Sequence, residues 1–68
     1  MKALTGKEML RLLKKYGWAV ERIHGSHYIH TKPGREEIVS VPVHGNRTLK
    51  MGMQRKILKV AEIDMEKQ

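Results

Sequence analysis

The first part of the chain carries apolar residues at the spacing of an α-helix. Leu10, Leu13 and Gly17 recur along one side, with further apolar residues beside them. Thr5 precedes Glu8 by three residues, which is the spacing of a capping box, so the helix is predicted to begin at about residue 6. Gly17 is predicted to end it. The opposite side carries four cations, namely Lys7, Arg11, Lys14 and Lys15.

From Trp18 onward the apolar pattern changes to a period of two, which predicts strands. The residues His-Gly-Ser-His at 24–27 predict a hairpin with the two-residue loop Gly25-Ser26, because a type II′ turn requires glycine at its first central position. In this register His24 pairs with His27. The other predicted pairs are Arg22 with Ile29, Val20 with Thr31, Ile23 with Tyr28 and Glu21 with His30.

The two faces of this predicted hairpin differ in polarity. Trp18, Val20 and Ile29 lie on one face, which is therefore expected to meet the helices. His27 lies at the end of that face, beside the turn. His30 is predicted to project from the other face.

A third strand follows the turn signal Pro33-Gly34. A two-residue loop would turn Ile38 and Ser40 inward, whereas a three-residue loop would turn the valines inward. We favour three residues, because this loop buries Val39, Val41 and Val43. Pro42 lacks an amide hydrogen for a ladder, so it predicts that the strand is at an edge or ends there.

The stretch LKMGMQRKILKVAEI has helical periodicity, with Met53, Ile57, Val60 and Ala61 on one face. The helix is predicted to begin between residues 50 and 53. The predicted fold is α+β with the order α-β-β-β-α, in which both helices lie on one face of a three-stranded antiparallel sheet. We expect residues 1–68 to form a single domain with its core at residues 4–63.

Composition narrows the possible partners. The 68 residues include 14 Lys and Arg against seven Asp and Glu, a formal charge of +7. This favours either an anionic partner such as nucleic acid or a solvated basic surface. The N-terminal stretch has no apolar core of a signal peptide, and no run reaches the roughly 18 apolar residues of a membrane span, so we expect a soluble intracellular protein. The absence of cysteine excludes disulfides and thiolate metal sites.

Three of the four histidines, His24, His27 and His30, recur at a spacing of three. This spacing resembles a metal motif, but His30 is predicted on the opposite face of the hairpin, so we expect no metal and no cofactor. Acid-base chemistry on a phosphodiester is the better hypothesis for His27, because a tight glycine turn lets a phosphate backbone approach. His24 and His30 are expected to be solvated or structural. His44 is intermediate between these roles and a catalytic one.

The basic residues are expected to hold phosphates. Aromatic residues number only three, so stacking on bases is a poor explanation and recognition through backbone and shape is favoured. The stretch HGNRTLK precedes the second helix, whose N-terminus attracts anions. The candidate RNA-binding residues are Arg22, Gly25, Ser26, Lys50, Arg55 and Lys56.

Four stretches occur together in order: LTGKEMLRLLKKYGW, R-x-x-GSH-x-I, VPVHGN and LKMGMQRKILK-x-A-x-I. Over residues 4–63 they resemble the HicA type of toxin, a small mRNA interferase of bacteria or archaea. The resemblance implies a fold like a double-stranded RNA-binding domain and metal-independent cleavage of mRNA in the cytoplasm. It implies His27 as the catalytic residue, with Gly25 beside it. Tyr28, where members often have a second histidine, and Met53, in place of a small polar residue, depart from the pattern.

The resemblance also implies a partner, a HicB-type antitoxin that covers the active site and carries a separate DNA-binding segment. Two other functions remain open. The chain is then either a non-catalytic RNA-binding module of the same fold, or an inactive protein that only binds its partner. The residue that completes the acid-base pair is open too, since water, the substrate or His44 would serve.

Overall fold

The computed structural model describes residues 1–65. The elements are α1 (Gly6–Lys15), β1 (Ala19–His24), β2 (His27–Thr31), β3 (Val39–Pro42) and α2 (Met51–Ala61). The sheet is antiparallel with the order β1-β2-β3, and both helices contact β3. The predicted α-β-β-β-α order and α+β class are confirmed. Within the described residues, neither helix has the length and apolar character needed to cross a membrane.

Helix α1 begins and ends where the sequence predicts. The Thr5 hydroxyl accepts a hydrogen bond from the Glu8 amide at 3.1 Å, and the Glu8 carboxylate accepts one from the Thr5 amide at 2.9 Å. These two bonds satisfy amides that the first helical turn leaves free. Gly17 follows the helix with φ +91°, a conformation that suits glycine. Met9 and Leu13 face the core and are fully buried.

The predicted hairpin is confirmed near its turn and wrong farther away. Gly25 has φ +59° and His24 pairs with His27, followed by the predicted pairs of Arg22 with Ile29 and of Ile23 with Tyr28. Beyond Arg22 the register shifts, because Glu21 has no partner and forms a bulge. An extra residue reverses the alternation of faces. The observed pairs there are Ala19 with Thr31 and Val20 with His30.

The prediction of the helix-facing side of the sheet is wrong in β2 and in the part of β1 next to the turn, whereas Trp18 is buried and Val20 lies on the inner side, as predicted. The buried residue of β2 is His30, with 1% of its surface exposed, whereas Ile29 on the other face is half-buried. The Nδ1 of His30 lies 3.0 Å from the Tyr28 carbonyl and 3.2 Å from the Val39 carbonyl, whereas its buried Nε2 has no hydrogen-bond partner among the described residues. His27 therefore lies on the outer face and is exposed. Val20 faces inward but stays 44% exposed, because β1 is exposed along its whole length.

Strand β3 has the predicted valines inside but not the predicted loop. Val39 and Val41 are buried, as predicted, and they pair with His30 and Tyr28. The connection from β2 spans residues 32–38, so the expected three-residue loop is wrong. The observed pairing of β2 with β3 differs by one residue from the predicted pairing, and the inner face of β2 is the one predicted to face outward. Each of these two errors alone would turn the valines outward, so together they leave the valines inside. β3 is an edge strand that ends at Pro42, as predicted.

The connection between β2 and β3 is held to α2 by Arg35. Its guanidinium donates to the Val60 carbonyl at 2.9 Å and pairs with Glu37 at 2.9 Å and Glu62 at 2.6 Å. It also lies 5.5 Å from the centre of the buried Trp18 ring. The Arg35 hydrogen bond lowers the pKa of the Glu37 carboxyl. These contacts keep α2 close to the edge strand.

Helix α2 begins at Met51, inside the predicted interval, after Lys50, whose side chain makes no capping bond. Ile57 and Ala61 are buried as predicted, but Met53 is 42% exposed. Gln54 is fully buried instead. Its Oε1 accepts a hydrogen bond from the Leu4 amide at 2.7 Å, and its Nε2 donates one to the Lys2 carbonyl at 2.7 Å. The chain ahead of α1 is thereby fastened to α2.

We expect Gln54→Ala to lower the free energy of unfolding by about 2 kcal/mol or more, because it leaves the buried Leu4 amide without an acceptor. Urea unfolding at neutral pH measures this loss. Lys59→Ala, at an exposed position of the same helix, is the control and should change stability by less than about 0.5 kcal/mol. Equal effects of the two substitutions would contradict the structural role of Gln54.

We also expect the stability to fall in mild acid because of His30. Burial lowers the pKa of His30 below its ordinary 6.5. The unfolded chain therefore takes up a proton near pH 6.5 while the folded imidazole stays neutral, and folding loses free energy as the pH falls from there toward the lowered pKa. His30→Gln keeps a donor for the carbonyls but does not titrate. The loss of unfolding free energy between pH 7.5 and pH 5.5 should be larger in the wild type than in this variant.

Candidate functional site

His27 stands at the first position of β2, directly after the turn. Its backbone pairs with His24 on one side and Pro42 on the other. Because facing residues of a ladder share a face, the three side chains lie on the outer face, opposite His30. The predicted divergence of the three clustered histidines is confirmed. Within residues 1–65, no group of three or more His, Asp or Glu side chains is placed to hold a metal ion.

A groove connects His27 with helix α2 across the edge of the sheet. Since no strand lies beyond β3, the groove passes over its edge to the side of α2. We call it the His27 groove. Ile38 and Met53, which are 57% and 42% exposed, give it apolar walls. Its lining includes His27, Ile38, Ser40, Pro42, Met53 and Lys56.

A second groove continues from the first toward the start of α2. The two grooves share the lining residues Pro42 and Met53, so they are adjacent. We call this part the Lys50 groove, because Lys50 stands there as the N-cap of α2. Its side chain does not cap the helix, so the positive end of the helix dipole faces this region. The other lining residues used below are His44, Arg47 and Thr48.

Both grooves are electropositive. Lys56 lines the first, while Arg47 and Lys50 line the second. No acidic side chain among the described residues lines either groove. Exposed cations without nearby carboxylates attract phosphate groups, at a strength that falls with added salt. Arg47 and Lys50, from the basic stretch ahead of α2, line the second groove, and their contact with phosphate stays a prediction.

The structure brings together only part of the predicted set. Lys50 and Lys56 line the two grooves, and Gly25 and Ser26 form the turn beside His27. Arg22 lies on the His27 face of the sheet but on β1, away from α2.

Arg55 is separated from this set. It lines a different groove with Lys2 and Lys59. Consecutive residues of an α-helix point in different directions, so the neighbouring cations Arg55 and Lys56 face different surfaces.

Some residues of the site were not predicted. Ser40, Ile38 and Met53 were assigned to strands or to the helix core, yet they line the His27 groove. Arg47 belongs to the basic stretch before α2 but was not singled out. The signal that would have identified them is the pairing of His27 with Pro42, which depends on the register of β3.

Comparison with known proteins gives one positive result. No curated protein matches the chain. A model of the family described as HicA toxin of bacterial toxin-antitoxin systems matches residues 6–63. This range spans α1 through α2 and includes the turn, His27 and both grooves. With most of its length matched in this way, the chain belongs to the HicA toxin family of bacterial toxin-antitoxin systems.

Proposed function

We propose that this toxin is a metal-independent endoribonuclease that cleaves mRNA, with His27 as a catalytic acid-base group. The observation that carries the proposal is the placement of His27. It is exposed and lines a groove together with Lys56, next to a second groove that is lined by Arg47 and Lys50. The cations favour an anionic substrate, since no carboxylate among the described residues lines these grooves. The imidazole can exchange protons with such a substrate.

The turn next to His27 leaves room for an RNA backbone. A side chain added at Gly25 would contact nothing within 4 Å, so the turn is open to the outside. The backbone behind it is held by a hydrogen bond from the Val43 amide to the Ser26 carbonyl at 2.8 Å. A rigid and open support of this kind lets a phosphate come close to the imidazole.

The proposed chemistry is a transesterification within the RNA chain. The ribose 2′-oxygen attacks phosphorus as its proton leaves, the bond from phosphorus to the 5′-oxygen breaks, and that oxygen gains a proton. His27 carries one of these protons. Lys56 and Lys50 are placed to offset the extra negative charge on the phosphate oxygens. The products are a 2′,3′-cyclic phosphate and a 5′-hydroxyl.

The proposed partner is a HicB-type antitoxin acting in the same cytoplasm. Ile38 and Met53 expose apolar surface beside His27, and apolar patches with a charged rim are typical of protein interfaces. A partner seated there would cover His27 and block RNA. The toxin is then kept inactive until the partner is removed.

We expect His27→Ala to reduce the cleavage rate of RNA by about 100- to 10,000-fold, because a positioned acid-base group contributes that much. Wild-type activity should be unchanged in EDTA. His24→Ala, which removes the facing exposed imidazole, is the control and should stay near the wild-type rate. RNA binding without cleavage by the wild type would instead favour a binding module. Binding of the antitoxin without RNA affinity would favour an inactive interaction protein.

The adjacent cations of α2 provide a matched pair. Lys56→Ala should raise KM for RNA several-fold, because Lys56 lines the His27 groove, whereas Arg55→Ala should have a smaller effect. Both remove one charge from an exposed position of the same helix. Steady-state kinetics at fixed ionic strength measures the difference. A larger effect of Arg55→Ala would show that RNA lies on the other side of α2.

A further inference from the structure

His44 lines the Lys50 groove, which is adjacent to the His27 groove. Pro42 belongs to both grooves and pairs directly with His27. His44 follows Pro42 by two residues. From the spacing of paired strands and the reach of two residues, the Cα atoms of His27 and His44 are within about 13 Å. Two side chains reaching toward each other across that distance can flank one phosphate.

The backbone around His44 is well anchored. On one side the Val43 amide is bound to the Ser26 carbonyl. On the other, the Arg47 amide donates to the His44 carbonyl at 3.0 Å and closes a turn in which Gly45 has φ +55°. The Leu49 amide then donates to the Leu4 carbonyl at 2.7 Å. His44 is thus exposed, and hydrogen bonds hold the backbone on both sides of it. A fixed backbone limits the positions that the imidazole can take.

Charge around His44 suits the same phosphate. Arg47 and Lys50 line its groove, and Arg47 is brought beside it by the turn. His24 is the alternative neighbour of His27, because the two are cross-strand partners. However, His24 lies on β1 and lines neither groove. The cation on its strand and face is Arg22, whereas Arg47 and Lys50 line the groove of His44. The geometry therefore separates the two candidate partners of His27.

We propose that His44 is the second acid-base group of the RNA cleavage reaction, an inference that rests on the proposed ribonuclease function. One imidazole takes the proton from the 2′-oxygen as the bond from that oxygen to phosphorus forms. The other imidazole, protonated, gives its proton to the 5′-oxygen as the bond from phosphorus breaks. Arg47 and Lys50 stabilise the charge on the two non-bridging oxygens. Proton exchange with water then restores both imidazoles.

The test uses an RNA dinucleotide whose bridging 5′-oxygen is replaced by sulfur. A thiolate leaves without a proton, because a thiol is far more acidic than an alcohol. With the natural oxygen substrate we expect His27→Gln and His44→Gln each to lose about 100-fold or more. With the sulfur substrate one of the two variants should return to within about tenfold of the wild type, since it lacks only the acid. The other should stay impaired, since it lacks the base.

Several outcomes would overturn the role of His44. The first is that His44→Gln cleaves the oxygen substrate at the wild-type rate. The second is that the sulfur substrate restores the rate of both variants or of neither. The third is that His24→Gln loses activity and is restored in the same way as His44→Gln. A merely structural role would not produce rescue that depends on the leaving atom. In addition, the bell-shaped pH dependence of kcat/KM should lose one limb in each variant.

Unchanged melting temperatures show that the variants fold. If the wild type cleaves no RNA, the ribonuclease function itself is wrong, whereas an active His44→Gln removes only this inference.

Discussion

The burial of His30 is the constraint on which the arrangement of the sheet depends. Its Nδ1 contacts two carbonyl oxygens, one on its own strand and one on β3, so Nδ1 must carry the proton and donate it. This bridge ties β2 to β3 in the register that pairs His30 with Val39. Because neighbouring residues of a strand face opposite sides, burying His30 also turns His27 outward. One polar contact in the core thus decides on which face the candidate catalytic group appears.

The position of β3 at the edge of the sheet then makes the site accessible. Pro42 cannot donate to a further strand, and β3 ends at this residue, directly opposite His27. Helix α2 lies beside this edge, held by Arg35 at its C-terminal end and by Gln54 in its first half. The grooves follow the line between helix and edge strand. The site is therefore a consequence of an open sheet edge next to a fixed helix.

A chain of 68 residues has a small core, and each polar side chain buried in it forms hydrogen bonds that join segments of the fold. Gln54 binds the backbone ahead of α1, while His30 binds the backbone of two strands. Both join segments that are distant in sequence. Lys56, Arg47 and Lys50 are exposed at the surface, where they give the grooves their positive charge. The buried polar residues join segments of the fold, whereas the proposed function involves the exposed ones.

The sequence by itself determined the elements and their order, because caps, turns and periodicity act over a few residues. Thr5, Glu8, Gly17 and Gly25 set boundaries through local hydrogen bonds and backbone angles. The four motifs in their order likewise identified the family, and the resemblance implied His27 as the candidate catalytic residue. Only the tertiary structure decided the faces and the groove. The bulge at Glu21, the burial of His30 in place of Ile29, and the meeting of His27 with Lys56 depend on register and packing between distant segments, which local periodicity does not encode.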